Sequence, residues 1–371
     1  MNPPNIIMIL LDGARWDRIE TSTEFTDLMK IGTTLNNVNT AIPYTIGSVN
    51  ATFSGLYGKD NGIDAYYKMF RLKDSVKILP EILQEAGYFT ACDLLSERII
   101  TKRGFDIHQF HDEYSDDLRQ RHPEFLKACK EKSNGKPLFV FLHFTRIHTI
   151  TVSEILKKYE WNDEKFYQRK EENLKNYDKV FLEAGSYSKL IKNSIDSLDL
   201  KNDTIIIFFS DHGTGVGERF GERNYGSFTF EETIRSFYLF IGKGIIENRI
   251  NSSLRETIDI FPTILDFVGI DKNSLPGESV YDFLLENKHL ENKTKVFSET
   301  GALQGPYPSP KEPNIFCIKN SEYKLIFNKT IREWQLYNLK EDPAEKRNIF
   351  ENKPQGTEKL QEQLISWIER D

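Results

Sequence analysis

Ile6–Leu11 is an unbroken apolar run that stops at Asp12. A run without polar alternation fits a parallel strand covered on both faces. Leu138–Phe144 and Thr204–Ser210 have the same character, and Tyr88–Leu95 reads as a further strand. Between them lie segments of helical spacing. Ser75–Ala86 places Val76, Leu79, Ile82, Leu83 and Ala86 on one face and stops at Gly87, a normal helix end. Residues 163–198 are charged and periodic, and Leu254–Val268 forms another helical segment with Pro262 inside it. Strand and helix in alternation predict an α/β fold, a mainly parallel sheet with helices on both faces. The pattern changes near residue 290. Asn314–Asn328 and Glu333–Leu339 read as short antiparallel strands, and Glu358–Arg370 as a closing amphipathic helix. The polar stretch Glu286–Lys295 marks the boundary, so the chain divides into a large α/β unit, 1–290, and a small C-terminal α+β subdomain, 291–371.

Composition narrows the function classes. The chain has 371 residues, 39% of them hydrophobic, enough for a sizeable core and too many for a disordered or fibrous protein. Its net charge of −7 gives no general attraction to nucleic acid or anionic lipid. The three cysteines, Cys92, Cys129 and Cys317, are far apart and form no disulfide framework. This suggests a reducing compartment. The first apolar run is too short and too early for a secretory segment, and no later run approaches the roughly 18 apolar residues of a membrane helix. The expectation is a soluble, cytoplasmic protein without a membrane span. Its oligomeric state is left open.

Polar residues follow three of the buried strands. Asp12 follows Ile6–Leu11, Ser210-Asp211-His212-Gly213 follows Thr204–Phe209, and His143 and His148 lie at and just past the end of Leu138–Phe144. In open parallel sheets ligands bind at that edge. Asp12, Asp211 and His212 have donors suited to a divalent metal. Each aspartate also reads as a simple cap of the turn that follows it. A fourth segment, Ile46–Ser54, sits between Pro43 and Gly55 and predicts a short helix with Thr45 at its N-terminus. Free N–H groups and the helix dipole favour an anion there. Thr45 reads either as an N-cap or as a nucleophile activated by a metal.

Taken together, these segments resemble the alkaline phosphatase superfamily, in its sulfatase-like branch. Ile9–Arg15 resembles the first metal-binding strand end, and Phe53-Ser54-Gly55-Leu56-Tyr57-Gly58 with Asn61-Gly62 resembles the stretch after the nucleophile helix. Glu85–Thr90 and Arg103–Asp106 are similar to "AGYxT…GFD", and Leu142-His143-Phe144 with His148-Thr149 to "LHFxxxHTP". Ser210–Gly213 is "SDHG". Ile258–Leu265 with Gly269 resembles "DxxPTLLxxxG", and Leu336–Leu339 with Asp342–Glu345 and Asn348 resembles "LYDLxxDPxExxN". The pieces occur in order along nearly the whole chain. The resemblance implies an alkaline-phosphatase-like catalytic unit over 1–290. It makes Thr45 the nucleophile, Asp12, Thr45, Asp211 and His212 the metal shell, and His148 a catalytic group touching the bound ester's oxyanion.

The departures from that pattern shape the expected chemistry. Sulfatases carry Cys or Ser in a C/S-x-P-x-R motif that is oxidised to formylglycine. Here the corresponding residues are Thr45, Gly47 and Val49, so no formylglycine is expected. The Lys and His that clamp sulfate after the GYxT strand are absent, since the chain reads Leu94-Leu95-Ser96-Glu97-Arg98. The lysine expected after SDHG is replaced near Tyr225-Gly226. A threonine nucleophile resembles phosphodiesterases and the phosphoglycerol and phosphoethanolamine transferases. The expected function is therefore a metal-dependent phosphoester hydrolase, with a preference for diesters, or a phosphotransferase, acting through a covalent phospho-threonine. The cofactor would be Mn or Zn, with Ca or Mg as alternatives. The other classes are a sulfuric ester hydrolase without formylglycine and a non-catalytic binding protein on the same fold. The substrate would be a small-molecule or glycan-linked phosphate or sulfate ester. Ser48, Asn50, His143, Arg146, Arg219 and Arg223 are the candidate substrate-binding residues, the arginines in place of the missing clamp.

Overall fold

The computed structural model describes residues 3–65, 72–151, 153, 163–271, 275–301 and 312–370. Nine strands form the main sheet: β1 (Asn5–Leu11), β2 (Thr33–Asn39), β3 (Phe89–Leu94), β4 (Ile107–Phe110), β5 (Leu138–Phe144), β6 (Thr204–Phe209), β7 (Arg235–Gly242), β8 (Arg249–Asn251) and β9 (Arg255–Glu256). Their order is β4-β3-β5-β1-β6-β7-β2-β8, with β9 also on β2. β4, β3, β5, β1 and β6 are mutually parallel, and β7 runs against both β6 and β2.

The two-faced burial expected of the apolar runs is visible residue by residue. Ile7, Ile9 and Leu11 of β1 pack into one hydrophobic cluster, while Ile6, Met8 and Leu10 pack into the cluster on the opposite face. Strands β5 and β6 divide in the same way. With side chains alternating across the pleat, only a continuous apolar run can fill both layers. Helices Thr23–Lys30, Leu118–Lys132 and Lys170–Ser197 contribute to the first cluster. Helices Thr45–Ser54, Leu79–Glu85, Ile260–Val268 and Tyr281–Leu285 contribute to the second.

Strands β10 (Val296–Thr300), β11 (Ile315–Lys319), β12 (Tyr323–Asn328) and β13 (Glu333–Asn338) form a separate antiparallel sheet in sequential order, followed by helix Thr357–Glu369. The segment expected as one strand over 314–328 is thus a hairpin, turning where Asn320 Oδ1 accepts the N–H groups of Glu322 and Tyr323. The polar stretch at 286–295 is anchored. Lys293 is buried and pairs with Glu256 at 2.7 Å and with Asp259 at 2.8 Å, and Asn292 Oδ1 accepts the Leu254 N–H.

Three helical segments differ from their sequence-predicted bounds. The helix expected from Ser75 begins at Leu79, and the one expected from Leu254 begins at Ile260, after β9 and a short 3₁₀ turn. In both, proline (Pro80, Pro262) lies in the first turn, where its missing N–H costs nothing. The periodic region 163–198 is two helices, Glu164–Gln168 and Lys170–Ser197, with Asn173 Nδ2 holding the Phe166 and Val216 carbonyls at the break. The three cysteines are buried, free thiols. Among the described residues no helix is long and apolar enough to cross a membrane.

Candidate active site

Because β1, β5 and β6 are parallel, their C-terminal ends open on one edge of the sheet. The Asp12 N–H donates to the Phe144 carbonyl at 3.2 Å, which ties the end of β1 to the end of β5. Ser210–Gly213 leaves β6 at the same level. Helix Thr45–Ser54 enters with its N-terminus toward this edge and closes at Gly55, whose φ of 69° is a left-handed cap. The Thr45 hydroxyl oxygen lies 3.4 Å from both Asp12 carboxylate oxygens and 3.3 Å from His212 Nε2. One ligand atom each from Asp12, Asp211 and His212 falls within 4.8 Å of the others, and all three residues are buried.

The arrangement suits a divalent cation. His212 Nδ1 is 2.7 Å from the Gly213 carbonyl. A carbonyl only accepts, so Nδ1 carries the proton and the Nε2 lone pair faces the site. Asp211 Oδ1 accepts the N–H groups of Gly13 at 3.1 Å and His212 at 2.9 Å, while the buried Oδ2 has no hydrogen-bond partner among the described residues. Burial, with Asp12 close by, pushes the Asp211 pKa up. Burial acts on Asp12 too, but His148, His143 and His212 hold its carboxyl below the usual carboxylate range. Two carboxylates and an imidazole lone pair facing one point is an arrangement that a cation relieves. Gly13 belongs to the same construction. Its φ is 73°, and a Cβ there would lie 2.8 Å from Thr214 Oγ1, so the turn that aims Asp12 needs glycine.

The remaining predicted residues divide. His148 lies at the site, with Nδ1 3.2 Å from the Tyr225 hydroxyl and 3.9 Å from Asp12. His143, expected to bind substrate, is fully buried behind Asp12. Its Nδ1 accepts the Leu95 N–H at 3.5 Å, and its Nε2–H donates to Asp12 Oδ2 at 2.9 Å. It orients a ligand and has no face for substrate. Ser48 and Asn50 are also committed elsewhere: Ser48 donates to the Asp211 carbonyl, and Asn50 donates to the carbonyls of Ile46 and Ile99. Both are buried, and they hold the helix in place. Arg219 is spent on Glu232 and on the carbonyls of Ala344 and Glu345, with Phe230 under its guanidinium. Arg146 faces Glu183 at 3.8 Å beside helix Lys170–Ser197. Of the three arginines, Arg223 lies nearest in sequence to the residue that does enter the site, Tyr225. The Tyr225 ring packs 4.2 Å from the His212 ring. Its one sequence signal is that it stands where the family pattern expects lysine.

A family model matches this architecture. The chain belongs to the sulfatase family, whose model covers residues 4–270. More narrowly, the model for the C-terminal part of N-sulphoglucosamine sulphohydrolase matches residues 223–370. Among curated proteins, N-acetylglucosamine-6-O-sulfatase of Bacteroides thetaiotaomicron is 32% identical over 166 residues, which is 43% of this chain and 28% of that protein. Arylsulfatase K of Canis lupus familiaris is 29% identical over 178 residues, 47% of this chain and 33% of that one. The multifunctional alkaline phosphatase superfamily protein PehA of Trinickia caryophylli is 26% identical over 166 residues, 42% and 32% of the two chains. The matches thus span about a third of the length of these relatives. Among solved structures, BT4656, in complex with its substrate D-glucosamine-2-N,6-O-disulfate, superposes with a TM-score of 0.77 at 17% identity, over 99% of this chain and 97% of that one. A further Bacteroides thetaiotaomicron protein gives 0.79 at 18% identity, over 99% and 92%. At such identities the likeness is one of fold. The family model and the curated relatives make the chain an ester hydrolase and lend no support to the phosphoester activity expected first.

Proposed function

We propose that the protein is a metal-dependent sulfuric ester hydrolase acting on a glycan-linked sulfate, with Thr45 as its nucleophile and no formylglycine. The observation that carries this reading is the convergence of the Thr45 hydroxyl with Asp12 and His212 at 3.3–3.4 Å, at a helix N-terminus, in a chain of the sulfatase family. The substrate class is supported by the sulfated amino sugars named for two similar proteins, N-acetylglucosamine-6-O-sulfatase and BT4656.

Asp12, Asp211 and His212 would hold a divalent cation, which would supply positive charge to acidify an alcohol and polarise sulfate oxygens. The N–H groups in the first turn of helix Thr45–Ser54 bind those oxygens. Thr45 Oγ1, positioned 3.3–3.4 Å from Asp12 and His212, gives its proton to solvent water and attacks sulfur in line. As the Oγ1–S bond forms, the bond from sulfur to the sugar oxygen breaks. His148, at the mouth of the site, gives that oxygen a proton. Water then attacks sulfur, giving a proton back to His148, the Oγ1–S bond breaks, Thr45 takes a proton from solvent and sulfate leaves. Threonine has a single oxygen on Cβ, so the sulfo-enzyme cannot expel sulfate by elimination at that carbon. Its release depends on the water, and the covalent adduct is expected to accumulate.

One observation favours a second reading. Thr45 is an ordinary alcohol, and the same in-line displacement at phosphorus would give a phospho-threonine. A panel of aryl sulfate, aryl phosphate, aryl phosphodiester and glucosamine 6-sulfate, each with Mn²⁺, Zn²⁺ or Ca²⁺, separates the readings. Sulfate release supports the first. Diester turnover without sulfate release transfers the site to the second. No turnover on any ester leaves only a binding protein on a sulfatase fold.

A further inference from the structure

A second cluster stands further along the same sheet edge, and the reaction above does not use it. Asp93 lies in β3, His111 directly follows β4, and His122 lies in helix Leu118–Lys132. One ligand atom from each falls within 4.8 Å of the other two, and all three residues are buried. We propose that Asp93, His111 and His122 form a second divalent-cation site, of the zinc class, separate from Asp12, Asp211 and His212.

The hydrogen bonding around the two imidazoles points to a ligand. His122 Nε2 is buried with no hydrogen-bond partner among the described residues. Its Nδ1 is held by the hydroxyl of Tyr187 in helix Lys170–Ser197. When Nδ1–H donates to that oxygen, the buried Nε2 keeps a lone pair with no donor among the described residues to meet it. The opposite tautomer buries an N–H without an acceptor, and an ion at Nε2 would satisfy the ring. His111 has Nδ1 3.0 Å from Asp93 Oδ1 and Nε2 3.4 Å from Thr145 Oγ1. Two donors, each about 2.0–2.1 Å from one ion at tetrahedral or octahedral angles, stand about 2.9–3.4 Å apart. The Asp93–His111 separation therefore already matches two ligands of one ion; a turn of the His111 ring brings its Nδ1 lone pair off the line to Asp93 Oδ1, and the ring proton moves to Nε2, beside Thr145 Oγ1. Both histidines then keep their second nitrogen on a hydroxyl, the outer-shell support expected of ligating imidazoles.

The electrostatics agree with this geometry. Burial pushes both imidazoles down, His122 to about 3, which favours the neutral rings that carry a lone pair. Asp93 Oδ2 is taken by Arg121 Nε at 2.7 Å and Gln109 Nε2 at 3.1 Å, which turns Oδ1 toward the cluster. Asp116 also faces Arg121, at 3.5 Å, and offsets part of its charge. Two imidazole nitrogens and one carboxylate oxygen suit zinc, whereas calcium and magnesium prefer all-oxygen sets. The ion would pin β3, the end of β4 and helix Leu118–Lys132 together, with Tyr187 bringing in the long helix. It would also brace the wall behind Asp12, because the His111 ring meets the His143 ring edge-on with centroids 6.2 Å apart.

The test counts Zn²⁺ bound to the chelator-stripped full-length chain and does not depend on the proposed reaction. His122→Gln is expected to lower the wild-type stoichiometry by one equivalent. In an Asp12→Asn/Asp211→Asn background it should lower it from one to zero. Tyr187→Phe is expected to weaken the remaining site about tenfold or more, by removing the support of Nδ1. Co²⁺ added to Asp12→Asn/Asp211→Asn protein should shift the His111 and His122 imidazole resonances far outside their diamagnetic positions. An unchanged count in His122→Gln, or resonances that stay in place in folded Asp12→Asn/Asp211→Asn protein, would overturn the assignment.

Discussion

The Thr45 hydroxyl makes only long contacts, 3.3–3.4 Å, to Asp12 and His212. Its loss should cost the fold under about 1 kcal/mol, so Thr45→Ala is expected to unfold with wild-type cooperativity in urea. His143 is the sharper case at this scale. Bound to Asp12 at 2.9 Å and closed off from solvent, it acts through the metal ligand. His143→Ala should raise the Mn²⁺ concentration giving half-maximal turnover about 10–100-fold, with little change in KM for the ester. A raised KM at unchanged metal dependence would instead make it a substrate group. That Asp12, Thr45, Asp211, His212 and His148 lie together was legible because each follows a buried strand closely or starts a short helix at the same sheet edge. Ser48 and Asn50 were misread because helix position alone does not tell which side chains turn back onto the backbone. Tyr225 was visible only as a departure from a pattern, and its contact with His148 depends on how the 215–226 loop folds back through the Gly215–Asn224 bridge.

At the scale of elements, proline position was the signal left unused. Pro80 and Pro262 each sit in the first helical turn, so each marks the helix start a few residues later than hydrophobic spacing alone suggests. The stretch near residue 290 carries the opposite lesson. Its polarity resembles a linker, yet Lys293 is buried between Glu256 and Asp259. Composition cannot distinguish a solvated lysine from one that neutralises two buried acids on a segment distant in sequence. Lys293→Ala should leave both carboxylates uncompensated and cost about 3–5 kcal/mol in urea unfolding. A loss under 1 kcal/mol would mean that water reaches the pair and the stretch behaves as a linker after all.

Across the whole molecule, the alternation of strands and helices made the parallel sheet and its C-terminal edge legible, while the joint between the two sheets was not. That joint is built from buried ion pairs and backbone contacts. Lys319 and Lys324 meet Glu231, Arg219 holds the Ala344 and Glu345 carbonyls, and the Glu299 N–H donates to the Ala41 carbonyl at 2.9 Å. Such pairings join residues far apart in sequence and leave no periodicity. Glu299 also gives the joint a pH dependence. Burial, against the pull of Arg370, pushes its pKa up to about 8 from 4.5. Between those values the folded chain keeps a proton that the unfolded chain has lost. Stability from this group therefore falls as pH rises through the window, by up to about 1.4 kcal/mol per unit. Glu299→Gln stays neutral throughout, so its stability relative to wild type should rise between pH 6 and pH 8 in urea unfolding. Parallel curves for the two proteins would place Glu299 in contact with water. The account rests most heavily on sulfate transfer to Thr45, and peptide mass spectrometry of enzyme quenched during turnover of a glucosamine sulfate with Mn²⁺ tests that directly. The predicted result is a sulfo group on Thr45 in wild type, with sulfate release lost in Thr45→Ala. Sulfate release by Thr45→Ala at the wild-type rate, or an adduct on any other residue, would contradict it.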